Sequence, residues 1–181
     1  MSPGPFPEHL DALKLFARNG SVSATLPLSK LPRFAAYLLD TEGEVAVALH
    51  FGHDEEGRPL LSGSLRTEVR VSCQRCMEPL ELELDCELAL LALASEAEVQ
   101  ALSSEEAALD ALVMDPEQGL DVLAVIEDEL LLSLPLVPMH MELDCSEAFN
   151  AYQRQAQQTA ASEAKQSPFA ALAALKGNDG Q

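Results

Sequence analysis

The sequence predicts an α+β fold, an antiparallel sheet open or curled toward a barrel, with a helix packed on it and a flexible tail. Three observations predict it. Two stretches near the middle, 64–73 and 80–90, alternate apolar and polar residues with period two. A third, 119–134, carries apolar residues on helical spacing and stops at Pro135. From residue 148 the chain turns Gln- and Ala-rich. Its 181 residues allow one domain, 1–147, and a tail, 148–181.

Taken in order, residues 10–18 read as a short helix ended by Asn19-Gly20. Val22, Ala24, Leu26 and Leu28 then alternate with polar neighbours or Pro27, which predicts a strand. Residues 31–39 read as a second short helix with Pro32 in its first turn, where a missing N–H costs nothing. Val45, Val47, Leu49 and Phe51 predict another strand, and 52–59 a turn. Leu65, Thr67, Val69, Val71 and Cys73 share one strand face, as do Leu80, Leu82, Leu84, Cys86, Leu88 and Leu90. These two strands are expected to pair antiparallel, with Cys73-Gln74-Arg75-Cys76 at their connection. Residues 95–108 read as a loop or weak helix, and 111–114 as one more short strand. Glu127 falls near the middle of the apolar face of the 119–134 helix, so its carboxylate must find donors or protonate. Pairing with an arginine or backbone amides is the expectation; a catalytic role would need a second polar partner that the sequence does not show.

Aromatic residues are scarce and Trp is absent, so the core must be aliphatic. The formal net charge of -19 disfavours nucleic acid and anionic membrane at long range and attracts basic partners. The charge is also segregated. All eleven basic residues lie outside 77–153, a span that holds nineteen of the thirty acidic ones. Just before it come Arg58, Arg66, Arg70 and Arg75, with Glu68 as their one acidic neighbour. Arg66 and Arg70 are expected to pair across strands with Glu81, Glu83, Asp85 or Glu87. The alternative is a basic edge in which Arg58, Arg66, Arg70 and Arg75 contact RNA phosphates.

The N-terminal residues lack the basic and apolar segments of a secretory signal, and no apolar run approaches the ~18 residues of a membrane span. A cytoplasmic protein is expected, where four cysteines serve as thiols or metal ligands rather than disulfides. Cys73 and Cys76, two residues apart at a turn, can share one ion. A tetrahedral site needs two further ligands, and His140 and Cys145 are the candidates, which makes structural zinc one reading and plain reduced thiols the other. Cys86 sits among Leu80, Leu82 and Leu84 and reads as a small buried thiol. A redox pair would open a helix, whereas here Pro79 and a strand follow. Phosphate loops and the Gly-x-Ser-x-Gly and His-Glu-x-x-His patterns are absent. His9, His50 and His53 stand apart and read as surface residues. Near the C-terminus, Phe169, Leu172 and Leu175 fall at helical spacing after Ser167-Pro168 and form a candidate docking segment for the domain or for a partner.

Three segments in order resemble the YceD family of bacterial ribosome-biogenesis proteins. The first is Cys73-Gln74-Arg75-Cys76-Met77-Glu78-Pro79. The second runs from Leu120-Asp121-Val122-Leu123 through Glu127-Asp128-Glu129 to Leu134-Pro135, then Val137-Pro138-Met139-His140 and Cys145. The third is Ser167-Pro168-Phe169-Ala170-Ala171-Leu172-Ala173-Ala174-Leu175-Lys176. The resemblance implies a non-enzymatic, cytosolic factor supporting synthesis, processing or stability of large-subunit (23S) ribosomal RNA. Its partner would be precursor RNA or a basic ribosomal protein, with no membrane. The family's recurring Cys-x-x-Cys and later His/Cys group fall on Cys73, Cys76, His140 and Cys145; Cys86 has no place in that set. The competing expectation is a metal- or thiol-dependent enzyme of RNA maturation using those ligands and Glu127.

Overall fold

The computed structural model describes residues 4–102, 110–141, 145 and 147–162. The chain divides into two compact units, Met1–Met139 and His140–Gln181. The first is built on a six-stranded sheet in sequential order: β1 (Gly4–Pro5), β2 (Ser21–Pro27), β3 (Glu44–His53), β4 (Pro59–Ser72), β5 (Pro79–Leu93) and β6 (Asp110–Val113). In the second, α5 spans Glu147–Ser162.

The strands from β2 to β5 pair antiparallel, each with its neighbour in sequence. The long β4–β5 hairpin runs in register from Leu60↔Leu91 to Ser72↔Pro79. Alternation explains why it forms. Leu61, Leu65, Val69 and Val71 on β4 and Leu84, Cys86, Leu88 and Leu90 on β5 are buried, while Arg66, Glu68, Arg70, Glu81, Glu83, Asp85 and Glu87 are exposed.

The expected antiparallel sheet is realised in these four strands, but the sheet is mixed and does not close into a barrel. Both outer pairs, β1–β2 and β5–β6, are parallel and short. β1 has two residues and β6 four, so neither edge strand offers the length over which a closing ladder would form.

The helices follow their caps. In α1 (Ala12–Ala17) the Asp11 side chain accepts from the Lys14 amide, and Asn19, at φ 49°, ends the segment before Gly20. The expected helix over 31–39 shortens to α2 (Pro32–Ala35), because the chain turns away and the Leu39 amide bonds to the Arg70 carbonyl of β4 at 2.8 Å. Part of the acidic stretch forms α3 (Glu96–Gln100). The long helix α4 (Val122–Ser133) is capped by Asp121 and stops at Leu134, whose extended backbone is what a following proline favours. Ile126 and Leu130 of α4 join Phe34, Phe51, Leu61 and Leu65 in the core. Each fully buried Leu or Phe contributes about 1.5–3 kcal/mol.

Candidate metal centre

The β4–β5 connection is a tight loop. The Cys73 amide donates to the Glu78 carbonyl at 2.9 Å, and the Met77 amide to the Cys73 carbonyl at 2.8 Å. Met77 adopts φ 64°, a left-handed conformation uncommon for a residue with a Cβ. Cys73 is fully buried and Cys76 half-buried. The Gln74 amide donates to the Pro138 carbonyl at 2.8 Å, tying the segment after α4 to this loop. His140 follows two residues later. The sequence reading missed this link, which nothing in the residue types at 74 and 138 signals.

The four expected ligands come together. One ligand atom from each of Cys73, Cys76, His140 and Cys145 lies within 4.8 Å of the others. Around zinc, bonds of about 2.3 Å to sulfur and about 2.0 Å to nitrogen set tetrahedral edges of roughly 3.5–3.8 Å for such a donor set. The spacing allows a metal ion to be held, the three-sulfur, one-nitrogen donor set is one that suits zinc, and burial of Cys73 limits access of water. Cys86 is in the core opposite Leu65 of β4, outside this group.

Glu127 has a different role from a site residue. Its Oε1 accepts from the amides of Arg33, at 2.5 Å, and Phe34, at 3.1 Å; its Oε2 accepts from Arg33 Nε at 2.8 Å. Burial alone would raise its pKa, but the Phe34 amide, the Arg33 guanidinium and the Arg33 amide together hold it below the ordinary carboxylate value. The sequence anticipated a paired, buried acceptor here without indicating which arginine. Glu129, two residues on and on the other side of α4, goes the other way: burial, with Asp110 and Asp128 nearby, raises its pKa.

Three of the four arginines in the basic strip are in ion pairs. Arg58 Nε meets Asp54 at 2.6 Å, Arg66 meets Asp85 at 3.0 Å, and Arg70 meets Asp40 at 2.9 Å. The pairing of Arg66 across the hairpin is as expected. Arg70 lies opposite Glu81 in register yet turns to Asp40 on the other side. Arg75 lies between the two cysteines of the loop and is half-buried. His50 and His53 are exposed, with ring nitrogens against Ser21 Oγ and Asn19 Oδ1. The docking candidates Phe169, Leu172 and Leu175 lie outside the described residues, as does 103–108 of the acidic stretch. No described helix is long and apolar enough to cross a membrane.

A family model described as large ribosomal RNA subunit accumulation protein YceD matches residues 61–176. The matched span contains the whole β4–β5 hairpin tip, α4 and all four clustered ligands. A protein of Haemophilus influenzae named large ribosomal RNA subunit accumulation protein YceD is 28% identical over 153 residues, covering 82% of this chain and 83% of its own. No solved structure matches.

Proposed function

The chain belongs to the YceD family, and from that premise we propose that it is a non-enzymatic cytoplasmic factor supporting accumulation of large-subunit (23S) ribosomal RNA, through its synthesis, processing or stability. The observation that carries this reading is the family match across residues 61–176. Cells lacking the protein should show a lowered ratio of large- to small-subunit RNA, restored by the intact gene. An unchanged ratio would overturn the proposal.

Within it, Cys73, Cys76, His140 and Cys145 hold one structural zinc. Their convergence supports this, and the ion would cross-link the hairpin loop to the chain beyond α4. Four protein ligands complete a tetrahedron and leave no position for substrate, which favours structure over catalysis. The alternative, a metal-dependent enzyme of RNA maturation, needs an open position or a free general base. Glu127 supplies neither, since both its oxygens are engaged.

The partner is precursor RNA or a basic ribosomal protein. Arg58, Arg66, Arg70 and Arg75 are the RNA-contact candidates. Phosphate would have to displace Asp54, Asp85 and Asp40 from three of them. Exposed ion pairs such as those of Arg66 and Arg70 are weak and screened by salt, so such exchange is feasible. Binding to large-subunit RNA fragments that falls steeply with salt, and falls further in Arg66→Ala and Arg70→Ala, is the expected result. Salt-insensitive binding, or none, excludes direct contact through these residues.

A further inference from the structure

The two sides of the β4–β5 hairpin differ. On the β4 side, the tip is closed by the Leu39 amide bonding to Arg70. On the β5 side, β6 pairs only with Leu90–Leu93. Among the described residues, no strand pairs with the outer edge of residues 80–89, so alternate backbone N–H and C=O groups there face outward. Such an edge templates another strand.

Its side chains specify which strand. On the exposed face, Glu81, Glu83, Asp85 and Glu87 stand in a row. Glu83 is directly opposite Glu68, a like-charge cross-strand pair that destabilises the hairpin. Of the two nearby cations, Arg66 pairs directly with Asp85 and acts on Glu83 and Glu87 only at longer range, and Arg70 pairs with Asp40. Among the described residues, Glu81, Glu83 and Glu87 have no ion pair. On the opposite face, Leu82 is half-buried and Leu84, Cys86 and Leu88 are buried.

We propose that the outer edge of β5, residues 80–89, takes up an extended protein segment that alternates Lys or Arg with apolar residues, as an added strand. Its basic side chains would lie beside Glu81, Glu83 and Glu87, at the ~5 Å separation of directly paired strands. Its apolar side chains would extend the face of Leu82, Leu84 and Leu88. Main-chain hydrogen bonds supply affinity and the alternation supplies specificity. The same acidic row disfavours pairing with a second copy of this chain, which would bring like charges together. The inference stands on the edge and its charges, independent of the ribosomal reading.

The test uses the full chain and a nine-residue peptide alternating Lys and Val. Two further versions carry N-methyl groups on alternate backbone nitrogens, one in each phase. Bound peptide should slow amide hydrogen exchange within 80–89. One N-methylated version should lose binding at least tenfold while the other retains it, because only one phase faces the edge. The triple variant Glu81→Gln, Glu83→Gln, Glu87→Gln, with folding checked by circular dichroism, should bind the parent peptide at least tenfold more weakly at low salt. Equal binding of both N-methylated versions, protection outside 80–89, or no binding at millimolar peptide overturns the proposal. So does protection of 80–89 by an RNA oligonucleotide in place of the peptide.

Discussion

Glu127 on α4 and Arg33 on α2 are locked together through two separate bonds, one from the Arg33 guanidinium and one from its own backbone amide. Glu127 is only 6% exposed, and its carboxylate also accepts from the Phe34 amide. A side chain 94 residues away in sequence thus caps the start of a four-residue helix that has no side-chain cap of its own. Arg33 reaches further, to Asp128 and to the Ala124 carbonyl, so α2 is fastened along a turn of α4.

Glu127→Ala should therefore destabilise the protein by about 2–4 kcal/mol, since it leaves two amides without their acceptor. Arg33→Ala keeps both amide bonds to the carboxylate and should cost less. Urea unfolding of the two variants checks the order; a larger loss for Arg33→Ala would show that the guanidinium, not the amides, holds the helix.

The pH dependence follows from the two neighbouring glutamates. The folded pKa of Glu127 is depressed, so its contribution is present above the unfolded carboxylate value and disappears as pH falls through the lower folded value. For Glu129 the folded pKa is raised, so its charged form costs stability above that raised value and the cost vanishes on acidification. Glu129→Gln should accordingly raise the unfolding midpoint at pH 7 and leave it little changed at pH 4. Thermal melts at the two pH values read this directly, and an equal shift at both would remove titration as the cause.

Gly63 lies opposite Leu49 in the β3–β4 ladder. A Cβ there would come within 2.1 Å of the Ala48 carbonyl oxygen, which is backbone and cannot rotate aside. Gly63→Ala should cost about 1–3 kcal/mol, whereas Gly57→Ala, with open space around it but φ 80°, should show only the smaller penalty of its turn. Denaturant midpoints distinguish them.

If one zinc is held by the clustered ligands, native mass spectrometry should find one ion per chain. Cys73→Ser and His140→Ala should lose it together with thermal stability, since metal binding free energy adds to folding. Cys86→Ser should keep the ion, because Cys86 is a core thiol outside the cluster. Retention of zinc by Cys73→Ser would place the metal elsewhere.

Much of this was legible along the chain wherever local pattern decides. Alternation located β3, β4 and β5, and apolar helical spacing up to Pro135 located α4. The Cys-x-x-Cys and the later His and Cys were recognisable as one ligand set by donor type. What local pattern could not supply were relationships across long sequence gaps. The parallel pairing of β6 to the end of β5, the truncation of the 31–39 helix by Leu39 turning to Arg70, and the bond from Gln74 to Pro138 all depend on where distant segments lie.

Local pattern therefore specified the alternating faces of the strands and where the hairpin turns, because periodicity is a property of neighbours, and donor type made Cys73, Cys76, His140 and Cys145 candidates for one metal. Tertiary structure alone decided that the sheet stays open, that Arg70 serves Asp40 rather than Glu81, and that Glu83 is left facing Glu68 beside a strand edge that no described strand pairs with. Those outcomes rest on register and on competition among several possible partners, and a one-dimensional pattern carries neither.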